Sequence, residues 1–165
     1  MWQRIQTVWL VLAALACMAC LCLPVGTFTD NQGETVGTLY NLWVHIPAPT
    51  LLNEGPQLAA EGTHLFTPWA LFGLLVFTAS MLCMDVLFFK HRLVQSRLAL
   101  LCALLLLAWY GVYGLFIWLL GERFDATFHP TPWAAFPAIG CILSYLAFRG
   151  ILKDEMLVRS LDRLR

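Results

Sequence analysis

Four apolar runs, each close to the length a helix needs to cross a lipid bilayer, constrain this chain more than any other feature. They are Ile5 to Val25, Thr67 to Phe89, Leu98 to Leu120 and Pro132 to Phe148. The first three hold 21, 23 and 23 residues, and a spanning helix needs about 20. The fourth, with 17 residues, reaches that length if the helix continues to Leu152 and Arg149 extends its charged head to the interface. Strands are excluded as spans because a single lipid-exposed strand leaves its backbone groups unsatisfied. The chain therefore reads as an all-α membrane protein, a four-transmembrane-helix bundle forming a single membrane domain over residues 1–165. Its 60% hydrophobic and 12% charged residues agree, since about a quarter of a soluble domain is charged.

The first run, preceded by Arg4, also has the outline of a signal peptide, and Ala14-Leu15-Ala16-Cys17 loosely resembles a lipobox. The apolar stretch continues past Cys17 through Met18, Leu21 and Leu23, longer than a signal core, so a retained spanning helix is expected.

Lysine and arginine set the orientation. Arg4, then Lys90, Arg92 and Arg97, then Arg149, Lys153, Arg159, Arg163 and Arg165 fall on one side, and only Arg123 on the other. Nine positive residues inside against one outside place both termini in the cytoplasm of a multi-pass inner-membrane protein. Trp2, Trp9, Trp43, Trp69, Trp118 and Trp133 lie near span ends, where indole rings suit the headgroup region.

The outer loop, residues 26–66, contains two segments rich in β-branched and aromatic residues, Thr27 to Thr29 and Thr35 to Ile46, around turn-forming Asp30-Asn31-Gln32-Gly33. A small β-hairpin is expected there. The cytoplasmic tail, residues 149–165, places Leu157, Leu161 and Leu164 on one helical face, with Glu155 four residues before Arg159. That order favours an ion pair, and the stretch reads as a C-terminal amphipathic helix lying on the membrane or docking a protein.

Asp85 is the sole carboxylate within a span and marks a possible intramembrane polar site. It lies near the end of its run, within reach of the interface or of a base such as Arg97 or Arg4. Cys17 and Cys20 share a helix face while Cys22 points elsewhere, an arrangement suited to packing. His45, His64 and His129, with Glu54, Glu61, Glu122 and Asp125, are residue types that suit zinc. Their spacing matches no metal motif, so no metal or other cofactor is expected. Gly111, Gly114, Gly140 and Ser144 offer close helix approach, Pro137 a kink, and Tyr110, Tyr113 and Tyr145 hydrogen bonds between helices.

Three short segments carry a family resemblance. The start, Trp2-Gln3-Arg4-Ile5-Gln6-Thr7, resembles an I-Q-R-I-Q-[ST] opening. The end, Lys153-Asp154-Glu155-Met156-Leu157-Val158-Arg159-Ser160-Leu161-Asp162-Arg163-Leu164-Arg165, resembles K-D-E-x-L-V-R-S-x-D-R-L-R, and Lys90 to Arg97 is similar to the same family's inner loop. The chain is thereby similar to the domain of unknown function 4293 family, small four-span membrane proteins of Gram-negative bacteria. The resemblance implies location and topology, and no reaction.

By the charge distribution all three segments are cytoplasmic. Gln3, Arg4, Gln6, Lys90, Arg92, Gln95, Arg97, Lys153, Asp154, Glu155, Arg159, Asp162 and Arg163 are therefore expected to form one polar cluster that braces the bundle or docks a membrane or cytoplasmic protein partner. The chain holds no nucleophile elbow, phosphate loop or HExxH, so a non-enzymatic structural or accessory component is expected. The alternative is a transporter subunit. A quinone-reducing disulfide oxidase would need cysteine pairs in the outer loops, which hold none, and no basic stretch suits nucleic acid.

Overall fold

In the computed structural model the described residues, 2–30, 33–47, 63–65, 68–88, 92–124 and 126–162, form four helices and a five-stranded antiparallel sheet. The helices are α1 (Trp2–Cys22), α2 (Trp69–Leu87), α3 (Arg92–Phe124) and α4 (Phe136–Asp162). All four are long and apolar enough to cross a membrane. α1 and α3 each pack against both α2 and α4, so consecutive antiparallel helices close into a ring.

The buried positions recur at alternating intervals of three and four. On α1 they include Gln6, Leu10, Ala13, Cys17 and Cys20, and on α2 Leu71, Leu75, Thr78, Leu82 and Asp85. On α3 they include Gln95, Ala99, Cys102, Leu106, Trp109 and Tyr113, and on α4 Pro137, Gly140, Ser144, Ala147 and Ile151. A period of 3.5 is the signature of knobs-into-holes packing in a left-handed bundle. Small residues are frequent on these seams, where they let the helices approach closely. Gly140 is the clearest case. A Cβ there would lie 3.3 Å from Leu106 on α3 and 3.6 Å from the Ala13 carbonyl oxygen on α1. Gly111 and Gly114 face open space and admit no neighbouring helix.

α3 and α4 run beyond their apolar cores. α3 has 33 residues, about 50 Å at the helical rise, because no proline interrupts it between Arg92 and Phe124. A short 3-10 turn, Pro132–Ala135, leads into α4, and Pro137 falls in the first helical turn, where its missing N–H costs nothing. α4 then continues unbroken to Asp162. The amphipathic tail is thus an extension of the fourth long helix rather than a separate element.

The sheet has the order β4-β3-β2-β1-β5, with β1 (Gly26–Thr29), β2 (Thr35–Leu39), β3 (Val44–Ile46), β4 (Thr63–Leu65) and β5 (Thr127–Pro130). The expected hairpin is present as β1 and β2, with Gly33 at φ +82° in the intervening turn. The sheet is larger than a hairpin for three reasons. The stretch from Thr35 to Ile46 bends into two paired strands, β4 pairs with β3, and β5, from the link between α3 and α4, pairs with β1 along its whole length.

Side chains of the bundle fasten this sheet. The Tyr113 hydroxyl donates to the Val25 carbonyl at 2.7 Å, and the Asn41 amide donates to the Cys20 carbonyl at 2.7 Å near the end of α1. The Tyr110 hydroxyl donates to Ala134 at 2.6 Å and accepts from the Ala138 N–H at 3.0 Å. Trp109, Tyr113, Phe128 and Phe28 then form a continuous aromatic column from helix core to sheet.

Gly26 lies under the Phe128 ring, where any Cβ would overlap it. Gly26→Val is therefore expected to push β5 off β1 and to lower stability by about 1–3 kcal/mol. Gly111→Ala, in open space on a helix, should raise it by up to about 1 kcal/mol. Thermal denaturation in detergent, with both variants beside the wild type, measures the contrast.

Candidate functional site: a polar layer at the end away from the sheet

The last seam position of each of three helices at this end is polar: Gln6 on α1, Asp85 on α2 and Gln95 on α3. The fourth helix contributes Ile151, with Gly150 beside it. Ser96 is also buried here, its hydroxyl donating to the Leu93 carbonyl at 3.0 Å. The antiparallel ring brings these positions to one level: Gln6 lies four residues into α1, Asp85 two from the end of α2, and Gln95 three into α3.

The contacts are specific. The Gln95 amide donates to the backbone carbonyl of Asp85 at 3.4 Å, tying α3 to the last turn of α2. The Gln6 side chain lies against Gly150, where an added Cβ would come within 3.2 Å of it. The Asp85 carboxylate is wholly buried, and neither oxygen has a hydrogen-bond partner among the described residues. Arg97, a candidate counter-ion, is exposed instead. An unsatisfied carboxylate in a helix core is costly, which marks this layer as the chemically distinctive part of the bundle.

The remaining sequence candidates divide clearly. Lys153 is exposed and Asp154 and Glu155 are half-buried on α4, one turn beyond the layer. Gln3 and Arg4 belong to the first turn of α1, Arg92 opens α3, and Arg159 and Asp162 lie on the far end of α4; the side chains of these five, and all of Lys90 and Arg163, fall outside the described residues. The layer thus unites Gln6, Asp85 and Gln95, while Arg97 and Lys153 stand at its edge. Gly150 and Ser96 were not expected in it; the alternating three-and-four spacing of small and polar residues was the signal that could have found Ser96's neighbours. Elsewhere, Cys17 and Cys20 are buried and Cys22 exposed, as their spacing implies. No three potential metal ligands converge among the described residues. Tyr110 makes the expected interhelical bond, accepting from Ala138 of α4; the Tyr113 hydroxyl instead bonds Val25 in the link between α1 and β1, and Tyr145 is exposed.

The sequence matches the family described as Domain of unknown function (DUF4293) over residues 2–164, from the first turn of α1 past the end of α4. The chain belongs to that family. The match takes in all four helices, the sheet and the polar layer, so the DUF4293 architecture is this whole arrangement. A search of curated proteins finds no match to the chain.

Because both carboxylate oxygens lack partners among the described residues, replacing Asp85 by an apolar residue of similar size removes a cost and breaks none of the described bonds. Asp85→Leu is expected to match or exceed the wild-type melting temperature in detergent. A loss of more than about 2 kcal/mol, the size expected when a buried polar group loses its partner, would show that the carboxylate is held.

Proposed function

We propose that this protein is a non-catalytic component of the bacterial inner membrane that crosses the bilayer four times and engages a protein partner from the cytoplasmic side. The charge asymmetry supports this orientation: the end bearing the termini carries nine of the ten lysines and arginines, as cytoplasmic flanks do. Exposed Trp69, Trp118 and Trp133 at the sheet end suit the opposite interface.

The observation that carries the docking reading is the unequal length of the helices. Gln6 and Gly150 are in contact, yet α4 continues twelve residues past Gly150 and α1 only four past Gln6. At the helical rise these are about 18 Å and about 6 Å, so α4 projects roughly 12 Å beyond its neighbour. Leu157 is exposed on this projection, and Leu161 follows it four residues later in the sequence. A protruding helix with an apolar stripe is the form that partner grooves accept.

One observation favours a second reading, an ion-transporter subunit: the buried Asp85 carboxylate is a group that a cation could occupy. Ion flux into vesicles holding wild type or Asp85→Asn discriminates, and equal flux from both removes this reading.

For the docking reading, a photo-crosslinking amino acid at position 157 in living cells should trap one protein at high yield, and deletion of residues 158–165 should abolish the product while the bundle keeps its melting temperature. The same probe at lipid-facing Leu115 is the comparison. Equal labelling at the two positions would refute docking.

A further inference from the structure

The surface of α4 around Gly150 carries two adjoining cavities. One, about 260 Å³, lies between α1 and α4 and is bounded by Gln6, Gly150, Lys153, Asp154 and Leu157. The other, about 430 Å³, opens outward beside Leu146, Arg149, Gly150, Leu152, Lys153 and Met156. They share Gly150 and Lys153, so they form one trough. Its origin is local: residue 150 has no side chain, and α4 is notched where any other residue would bulge.

The chemistry of the trough is divided. Its walls are apolar. Its outward part bears two cations, Arg149 and Lys153, one helical turn apart on the same face, and no carboxylate among the described residues that line it; Asp154 bounds the α1 side. Arg149 ends the apolar part of α4, so the cations stand where hydrocarbon gives way to headgroups, their stems lying along apolar surface and their heads reaching outward. Cationic pockets between helices on the cytoplasmic face are suited to anionic lipid headgroups.

We infer that this trough binds an anionic phospholipid, its phosphate held by Arg149 and Lys153 and one acyl chain lying past Gly150 along Leu146. The inference is separate from partner docking, because residues 158–165 take no part in it. It rests on the membrane-spanning reading, whose failure would appear as a protein soluble without detergent, not as altered lipid selectivity.

Native mass spectrometry of the full chain released from nanodiscs of equal phosphatidylglycerol and phosphatidylcholine tests it. The wild type should retain phosphatidylglycerol at least about fivefold over phosphatidylcholine, about 1 kcal/mol of selectivity. Arg149→Gln with Lys153→Gln should bring the ratio near one. The charge-conserving pair Arg149→Lys with Lys153→Arg should keep it, as should Arg97→Gln, which removes an exposed cation at the same end of the bundle. Gly150→Leu, which fills the trough with both cations intact, should also abolish selectivity. A wild-type ratio near one overturns the proposal, as does selectivity that survives the double glutamine variant. Equal loss in Arg97→Gln would reveal a diffuse surface field in place of a site, and displacement of the lipid by millimolar inorganic phosphate would reveal a plain anion site.

Discussion

The peptide of Val25 joins the two halves of the molecule. Its N–H donates to Leu39 at 2.8 Å, and its carbonyl accepts both the Tyr113 hydroxyl at 2.7 Å and the Thr131 N–H at 3.3 Å. Helix ends are where a bundle of apolar helices is weakest, since four carbonyls at each C-terminus have no partner within the helix. α1 meets this problem with side chains from elsewhere: Asn41 serves Cys20, and Thr131 serves Pro24 at 2.8 Å. Everything beyond α1 depends on that junction. β1 starts one residue after Val25, and both β2 and β5 pair with β1. Five strands of three to five residues would be marginal alone; anchored at one fixed peptide, they close the bundle.

The opposite end is finished differently. The α3 seam reaches the sheet through Trp109 and Tyr113, whereas away from the sheet the seams of α1, α2 and α3 end in Gln6, Asp85 and Gln95. Aromatic side chains contribute large rigid contacts with a polar tip, whereas amides and carboxylates depend on partners that can rearrange. The polar layer, the notch at Gly150 and the projecting α4 all lie at the end away from the sheet.

The number of long helices, their order and their approximate limits were legible in the sequence because length and composition alone define them. Which face each helix buries was not, for a physical reason. In a soluble helix, burial separates apolar from polar faces; here the outward face is also apolar, as exposed Leu104, Leu107 and Ile142 illustrate. The inner face is marked instead by small and polar residues such as Ala13, Thr78, Cys102 and Ser144, which a search for hydrophobic periodicity overlooks. The same blindness misjudged Asp85. Counted from the end of its run it looked shallow enough to reach the interface, but it continues the seam Leu71, Leu75, Thr78 and Leu82 and is wholly buried. β5 escaped notice because four residues ending in His-Pro carry no strand pattern without β1 beside them. Tyr110 and Tyr145 looked alike for a similar reason: only the turn at Pro132–Ala135 distinguishes a hydroxyl with two backbone partners from one facing outward.

A regular seam of alanine, cysteine and leucine has one weakness, which the polar layer answers. Sliding α2 by one heptad would exchange Asp85 with Thr78 and Leu75 with Leu82, leaving most apolar contacts intact. In lipid, where apolar burial hardly distinguishes one register from another, such a slip has little opposing it. It would, however, carry Asp85 past Gln95 to the level of Ala13 and Cys102, stripping it of the amide that holds its backbone carbonyl and surrounding its carboxylate with apolar groups. Buried polar residues on a heptad seam fix register in this way at a cost in stability. Thr78 can occupy the middle of the seam because its hydroxyl returns to the Leu74 carbonyl at 2.7 Å and asks nothing of other helices. Asp85 has no such outlet among the described residues, and the seam sets it at the terminal layer, on a helix packed against those that carry Gln6 and Gln95.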